Sequence, residues 1–286
     1  MKSTLQRMLD KFRRANQPAN PAGRLRAAHA SETETPGAAA PTGETIFGDQ
    51  ALRFRSLSLN AADLSALEYP SQLRDGFKIR VAKRPGPRRH AKKLVEKRYV
   101  ERGYTKPYVE LDPNLSTFLA YDEGLLVGTV SVRLDSKKRL SADELYRVEL
   151  DAMRDAGCGL CEFTRLAVDK AASSKPVLAG LFHTAFLYAA VIRGFTHAII
   201  EVNPRHVTFY RKALSFEPIG PERMNLRVHA PAVLLCVPFA TIAEGLRKHA
   251  GKPPAPGAAR SLFQYGFPED EEIGVLGRLR ELVATR

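Results

Sequence analysis

The chain has 286 residues, 44% of them hydrophobic and 8% aromatic. That suits a soluble globular protein with one sizeable domain or two small ones. A net charge of +13 predicts attraction to polyanions or acidic proteins. Three cysteines, Cys158, Cys161 and Cys236, exclude a full disulfide framework and point to a reducing compartment.

Residues 1–14 are not a secretory signal, because Asp10, Lys11, Arg13 and Arg14 interrupt any apolar run. Leu5, Met8, Leu9 and Phe12 fit one side of a short basic amphipathic helix for a membrane surface or a partner; a frayed, solvated segment is the plainer reading. Residues 16–45, rich in Pro, Ala, Gly, Thr and Ser, read as disordered. The expected organisation is a tail over 1–46, a domain over 47–250 with its core at 77–240, and a linker and tail over 251–286.

Phe77–Ala82 alternates like a strand, and Arg84-Pro85-Gly86-Pro87 reads as a break before a helix over Ala91–Arg102. Ser116–Tyr121 and Leu125–Leu134 read as strands joined by a turn at Asp122-Glu123-Gly124. Ser141–Arg147 fits a helix with Ser141 and Glu144 as a capping box. Cys161–Val168 reads as a strand. A long apolar helix follows, capped by Ser174, with Pro176 in its first turn and an end near Gly194. Its apolar run, Val177–Ile192, is shorter than a bilayer span and holds His183 and Thr184, so it reads as a buried helix. Then come a strand over Thr196–Val202, a helix from Asn203-Pro204 to Leu214, strands at Phe216–Ile219 and Val233–Phe239, and a helix over Ile242–His249. This order predicts an α/β or α+β domain with a sheet flanked by helices.

The strand Cys161-Glu162-Phe163-Thr164-Arg165-Leu166-Ala167-Val168 carries two charged residues among apolar ones. Charges are rarely buried unless paired or functional. Glu162 is therefore either a catalytic base, its pKa raised by burial, or half of an ion pair with Arg165 that organises the strand. Positions three apart on a strand point to opposite faces, so a direct pair needs a bulge or a third partner. Asn203 before Pro204 suits a helix cap. His206 is a candidate acid/base or substrate-binding group, although a lone helical histidine is more often incidental. Cys158 and Cys161 have CxxC spacing but no second ligand pair, so no metal site is expected.

The run Glu162-Phe-Thr-Arg165-Leu-Ala-Val-Asp169, with the earlier Val132-Arg133-Leu134, resembles the Glu-x-x-Arg and arginine-bearing strands of LuxI-type acyl-homoserine-lactone synthases. Glu201-Val-Asn-Pro-Arg-His-Val-Thr-Phe-Tyr-Arg-Lys-Ala-Leu-Ser-Phe216 and His229-Ala-Pro-Ala-Val-Leu-Leu235 are similar to bacterial N-acyl amino acid synthases of the FeeM type. The resemblance runs from about Phe77 to Phe239. It implies a GNAT-like acyltransferase fold, with a mixed, mostly antiparallel central sheet. It implies transfer of a fatty acyl group from acyl carrier protein to the α-amino group of an amino acid. It also implies roles for particular residues. Arg133 would meet Glu162 or bind the amino acid carboxylate. Tyr210 would protonate the departing thiolate. The main chain of Thr164, Arg165, Leu166 and Val168 would hold the pantetheine arm, since this strand splays from its neighbour in GNAT folds. Arg165, Asn203 and His206 join the substrate-binding set. Leu178, Leu181, Phe182, Phe186 and Leu187 fit either an acyl tunnel or ordinary core.

One departure bears on the donor. CoA-dependent GNAT enzymes usually carry a glycine-spaced loop that cradles pyrophosphate with backbone N–H groups. Here Lys170-Ala-Ala-Ser-Ser-Lys-Pro-Val-Leu-Ala-Gly180 lacks that spacing. Acyl carrier protein, which has no nucleotide pyrophosphate, is the expected donor, with no other cofactor. Between Lys78 and Lys106, twelve lysines and arginines face two glutamates, and Arg88, Arg89, Lys92, Lys93 and Lys97 are the candidate docking residues for that acidic carrier. An anionic membrane surface is the alternative partner. The stretch has no helix-turn-helix or RNA-binding signature, which argues against nucleic acid. The expected location is the cytoplasm, with peripheral contact at the inner membrane face under the membrane reading. The rival functions are an acyl-homoserine-lactone synthase using S-adenosylmethionine, and a non-catalytic basic module.

Overall fold

The computed structural model describes residues 45–47, 77–83, 85–104, 114–122, 124–169, 175–252 and 261–284. The N-terminal amphipathic and Pro/Ala-rich stretches, the Ser174 cap and nearly all of 47–75 lie outside them. Among the described residues nine strands form one sheet: β1 (Thr45–Phe47), β2 (Phe77–Val81), β3 (Leu115–Asp122), β4 (Leu125–Leu134), β5 (Leu160–Val168), β6 (His197–Val202), β7 (Glu217–Pro218), β8 (Arg223–Asn225) and β9 (Ala230–Pro238). Their order is β1-β2-β3-β4-β5-β6-β9-β7, with β8 also on β9. Every pairing is antiparallel except β5 with β6. This is the expected mixed, mostly antiparallel sheet.

Helices cover both faces. On one side lie α1 (Pro85–Val100) and α2 (Asp143–Asp155). Ala91, Leu94 and Val95 of α1 pack on Leu119 and Ala167, and Tyr146, Leu150 and Met153 of α2 pack on Leu160, Ile199 and Leu234. On the other side lies α3 (Lys175–Phe186), which widens into a π-helical turn over Leu187–Ile192 and stops at Gly194, where φ is +72°. By length and composition Lys175–Ile192 is apolar enough to cross a bilayer. It is instead the core helix, with Leu181, Ala185 and Leu187 buried against β2, β4 and β5. The remaining helices are α4 (Val207–Leu214), α5 (Phe239–His249) and α6 (Glu269–Ala284).

Several expectations need correction. The helix predicted over Ala91–Arg102 begins at Pro85, and the supposed break is its first turn. Proline fits there because the first N–H groups of a helix have no internal partner. The helix predicted over Ser141–Arg147 is α2, starting at Asp143 and running to Asp155. No Ser141–Glu144 capping box forms: Ala142 holds the cap position, and no side chain caps it. The strand expected over Phe216–Ile219 shrinks to two residues, and β8 is an addition to the predicted elements. Thr45–Phe47, expected to close the disordered tail, pairs with β2 and buries Ile46.

The largest difference lies beyond residue 251. Residues 261–284 are not a detached tail but part of the main core. Leu262, Phe263, Phe267, Val275, Leu279 and Leu282 are all buried with α3 and α5. His183 on α3 fastens them. Its Nδ1 accepts from the Phe267 N–H at 2.9 Å, so Nε2 carries the proton and faces the Glu272 carboxylate at 3.2 Å. The imidazole also stacks on the Phe267 ring, with centroids 4.8 Å apart. Replacing His183 by Ala leaves a buried N–H without its acceptor. The expected loss is about 1–3 kcal/mol, read as a lower Tm in thermal unfolding. An unchanged Tm would show that this anchor contributes nothing.

Candidate functional site

The site forms where the central sheet comes apart. β5 and β6 pair at Leu160–His197, Cys161–Ala198 and Glu162–Ile199, and there the ladder ends. β5 goes on to Val168 beside β4, while β6 goes on to Val202 beside β9. The two strands diverge, so from Phe163 onward β5 no longer has β6 as its ladder neighbour. A bulge accompanies the divergence. Thr164 pairs with Ser131 and Ala167 with Thr129, so Arg165 and Leu166 together oppose Val130. Arg165 sits at φ +53°, a left-handed conformation unusual for a non-glycine residue. The bulge turns the Arg165–Leu166 stretch towards the gap, and the guanidinium groups that favour ionised Glu162 are those of Arg133 and Arg227.

A cavity of about 640 Å³ fills the gap. β5 lines it with Glu162, Phe163, Thr164, Arg165 and Leu166, and β6 with Ile200, Glu201 and Val202. Arg133 on β4, Asn203, His206 and Tyr210 also reach it. Val168, expected with them, is not on its wall. Six lysines and arginines line the cavity (Arg102, Arg133, Lys138, Arg139, Arg165, Arg227) against three glutamates (Glu144, Glu162, Glu201). That balance favours a substrate carrying a negative group.

Glu162 is 3% exposed, and burial raises its pKa above the ordinary carboxylate range. Opposing this, Oε2 accepts from the Ser141 N–H at 2.7 Å, and the guanidinium of Arg133, its cross-strand neighbour, favours the charged form. The Ser141 amide, expected to open a capping box, thus holds the carboxylate. The alternation of β5 explains the placement. Cys161 and Phe163 point into the α3 core, so Glu162 points to the α2 face.

Sequence reasoning missed a second acid, whose side chain is 10% exposed. Glu201 has its pKa raised to about 7, chiefly by burial and further by the nearby Glu162. Asn225 donates to its Oε1, and Arg227 donates to Oε2 at 3.3 Å. The signal was available: His197-Ala-Ile-Ile-Glu201-Val embeds one charge in an apolar strand, as β5 does. Asn225 and Arg227 had no such signal, because β8 is too short to announce itself. They are placed by Arg223, which stacks on Tyr146 of α2 at 4.7 Å and donates to Glu149 at 2.6 and 3.0 Å.

Tyr210 packs edge-on against Phe182 and Phe216, and burial raises its pKa, so its hydroxyl keeps its proton. His206 is held neutral by burial and by nearby Arg102 and Arg205. Asn203, on the cavity wall, is also tied to the main chain. Its side chain accepts from the Arg205 N–H at 3.2 Å and donates to the Pro231 carbonyl at 3.2 Å, tying the start of the α4 segment to β9. Of the proposed docking residues, Arg89, Lys92, Lys93 and Lys97 are exposed on α1. Arg88 differs, since its Nε donates to the Ala82 carbonyl at 2.9 Å. Lys97 lies 3.7 Å from Asp169, just after β5, and Tyr99 of α1 with Arg102 just beyond it lines the cavity, which puts this basic helix beside the gap. Of the predicted tunnel residues, Phe182 reaches the cavity wall, whereas Leu181, Phe186 and Leu187 are core. The three cysteines are buried free thiols.

Comparison with known proteins bears on this geometry. The family model described as N-acyl amino acid synthase FeeM matches residues 90–238. The structure of FeeM, an N-acyl amino acid synthase from uncultured soil microbes, matches with 29% identity over 57% of this chain and 91% of that one, at a TM-score of 0.52. Weaker likenesses include the acyl-homoserine-lactone synthase LasI (13% identity, 57% and 89% coverage, TM-score 0.41) and a GNAT-family acetyltransferase from Streptococcus pneumoniae (17%, 57% and 98%, 0.41). A search of curated proteins gives no match. The family match spans 149 of 286 residues and contains Glu162, Glu201 and the whole of the divergent β5–β6 pair. The chain belongs to the FeeM family of N-acyl amino acid synthases and is an acyltransferase.

Proposed function

We propose that this acyltransferase moves a fatty acyl group from acyl carrier protein to the α-amino group of an amino acid. The observation that carries the reading is the parting of β5 from β6 beside a cavity lined by the buried Glu162 and the mostly buried Glu201. An extended peptide-like ligand can take the place of the strand that has moved away. The amide-bearing pantetheine arm has the length and the hydrogen-bonding groups to lie along Phe163–Val168 in this way. This seats the thioester carbonyl beside the bulge, where a main-chain N–H stabilises the oxyanion.

The amino acid arrives as an ammonium carboxylate. Arg133 and Arg227 attract its carboxylate, and Glu201 attracts its ammonium group. Glu162 takes one ammonium proton, directly or through water, which frees the nitrogen lone pair. The amine attacks the thioester carbon and forms the C–N bond. Collapse of the tetrahedral intermediate breaks the C–S bond; Tyr210 gives the departing sulfur its proton, and the second proton of the former ammonium group passes from the nitrogen through water back to the Tyr210 oxygen, leaving a neutral amide. Proximity and burial support these roles.

Purified protein mixed with acyl carrier protein charged with a fatty acid is expected to yield N-acyl amino acids by mass spectrometry. Glu162→Gln should lower kcat by at least about a hundredfold with little effect on Tm. Product from S-adenosylmethionine instead of an amino acid would overturn the acceptor assignment.

Glu201 makes a separate pH prediction. The folded chain holds its proton up to about pH 7, against about 4.5 in the unfolded chain. The folded state therefore binds more protons between these values, and stability falls as pH rises through them. Relative to Glu201→Gln, the wild type should lose Tm progressively from about pH 4.5 to about pH 7. Parallel Tm curves would contradict the assignment.

The α1 face makes a kinetic prediction. Charge reversal at Arg89, Lys93 and Lys97 should raise the KM for the acyl carrier protein donor about tenfold or more. It should also flatten the salt dependence of that KM, since long-range attraction between exposed charges is screened by salt. An unchanged KM and salt slope would move the docking site elsewhere. The protein is expected in the cytoplasm, where its charged carrier would be found.

A further inference from the structure

Behind the polar cavity lies a second, apolar one. Phe163 and Phe182 belong to the walls of both, their ring centroids 6.3 Å apart, so these two rings are the partition. On the far side the space is about 20 Å³, little more than one water-sized sphere. Its near wall comes from the family core, through Ala179, Leu214 and Phe216. Its far wall does not. Ile242, Leu246, Leu262 and Phe263 all lie beyond residue 238, where the family match ends.

The far wall is tightly built. A Cβ on Gly245 would lie 2.5 Å from the Phe263 ring, and one on Gly266 would lie 2.5 Å from Leu246 Cδ2. Glycine at these two positions lets Phe263 press down on α5. Apart from the partition and one edge of His183, the lining is aliphatic and aromatic, with nothing to hold a polar ligand. Among the groups in an acyl thioester, only the alkyl tail suits it.

We infer that α5 and residues 261–267 form the floor of the acyl-chain pocket, and that Phe263 sets the longest chain the enzyme accepts. The inference rests on the acyl-transfer reading above. The alkyl tail passes between Phe163 and Phe182 as those rings rotate, leaving the thioester in the gap. Its methyl end then meets Phe263. A pocket of one-water size has room for a tail only as its walls move, so the ring at the far end limits how far the chain extends.

Two measurements test this. In the wild type, an acyl-pantetheine thioester with a diazirine at the tail end is photolysed, and the labelled peptides are mapped. Labelling should fall within residues 261–267, and labelling confined to peptides elsewhere would overturn the inference. In Phe263→Ala, the ratio of kcat/KM for long over short acyl donors should rise at least about tenfold, because each added methylene finds room in a hydrophobic pocket. A folded variant with an unchanged ratio would also overturn it. Should Phe263→Ala fail to fold, the wild-type labelling still decides. Labelling within residues 261–267 by a protein that makes no amide from any amino acid supports the pocket and rejects the acceptor reading alone.

Discussion

The structure depends on one interruption in hydrogen bonding. β5 and β6 are parallel neighbours for three residue pairs and then separate. Parallel strands of this length would normally continue, since each further pair satisfies buried backbone groups. The bulge at Arg165–Leu166 opposes that continuation. It sets two residues of β5 against one of β4 and increases the local twist, which turns the end of β5 away from β6. α1 then fills the space over the turned-away strand, through Leu94 and Val95 against Ala167. The gap is therefore braced from outside and has an edge of main chain inside it.

The same interruption accounts for Glu162 and Glu201. An ionised carboxylate taken out of water is strongly destabilised unless it is hydrogen-bonded or paired. Glu162 has the Ser141 amide and the guanidinium of Arg133 opposite it; Glu201 has Asn225 and Arg227. In neither case does the compensation match the burial, for both pKa values remain raised. An arrangement meant only for stability would gain from apolar residues at these places. Two under-compensated acids in one cleft are the pattern expected where protons are to be moved.

Much of this was legible in the sequence, for definite reasons. Period-two alternation disclosed β2 to β6 and β9, and one charge out of pattern disclosed Glu162. What alternation cannot disclose is a bulge that no glycine or proline marks: Arg165 occupies a left-handed conformation with nothing in its neighbours to announce it. β8 escaped because three residues are too few to show a period. α2 reads short from sequence because its apolar positions, Tyr146, Leu150 and Met153, are scattered among seven charged residues in Asp143–Asp155. α6 escaped differently. Val275, Leu279 and Leu282 repeat at helical spacing, but the Pro- and Gly-rich stretch before them drew a boundary that the packing ignores.

Along β5 successive side chains face opposite ways, so Glu162 and Phe163 stand on opposite sides of one sheet. Acid and amine belong on the polar side, under α2 and β8. The alkyl tail belongs on the apolar side, under α3 and the C-terminal segment. In an unbroken sheet no substrate could touch both, because a continuous ladder has no opening. The parting of β5 from β6 supplies the opening at the residue after Glu162, which is where a thioester would have to cross. On the proposed reading, the sheet keeps the two substrates' incompatible environments apart and lets them meet at one point. α5 and residues 261–267 then belong to the catalytic unit as much as the family core does, since without them the apolar side has no end.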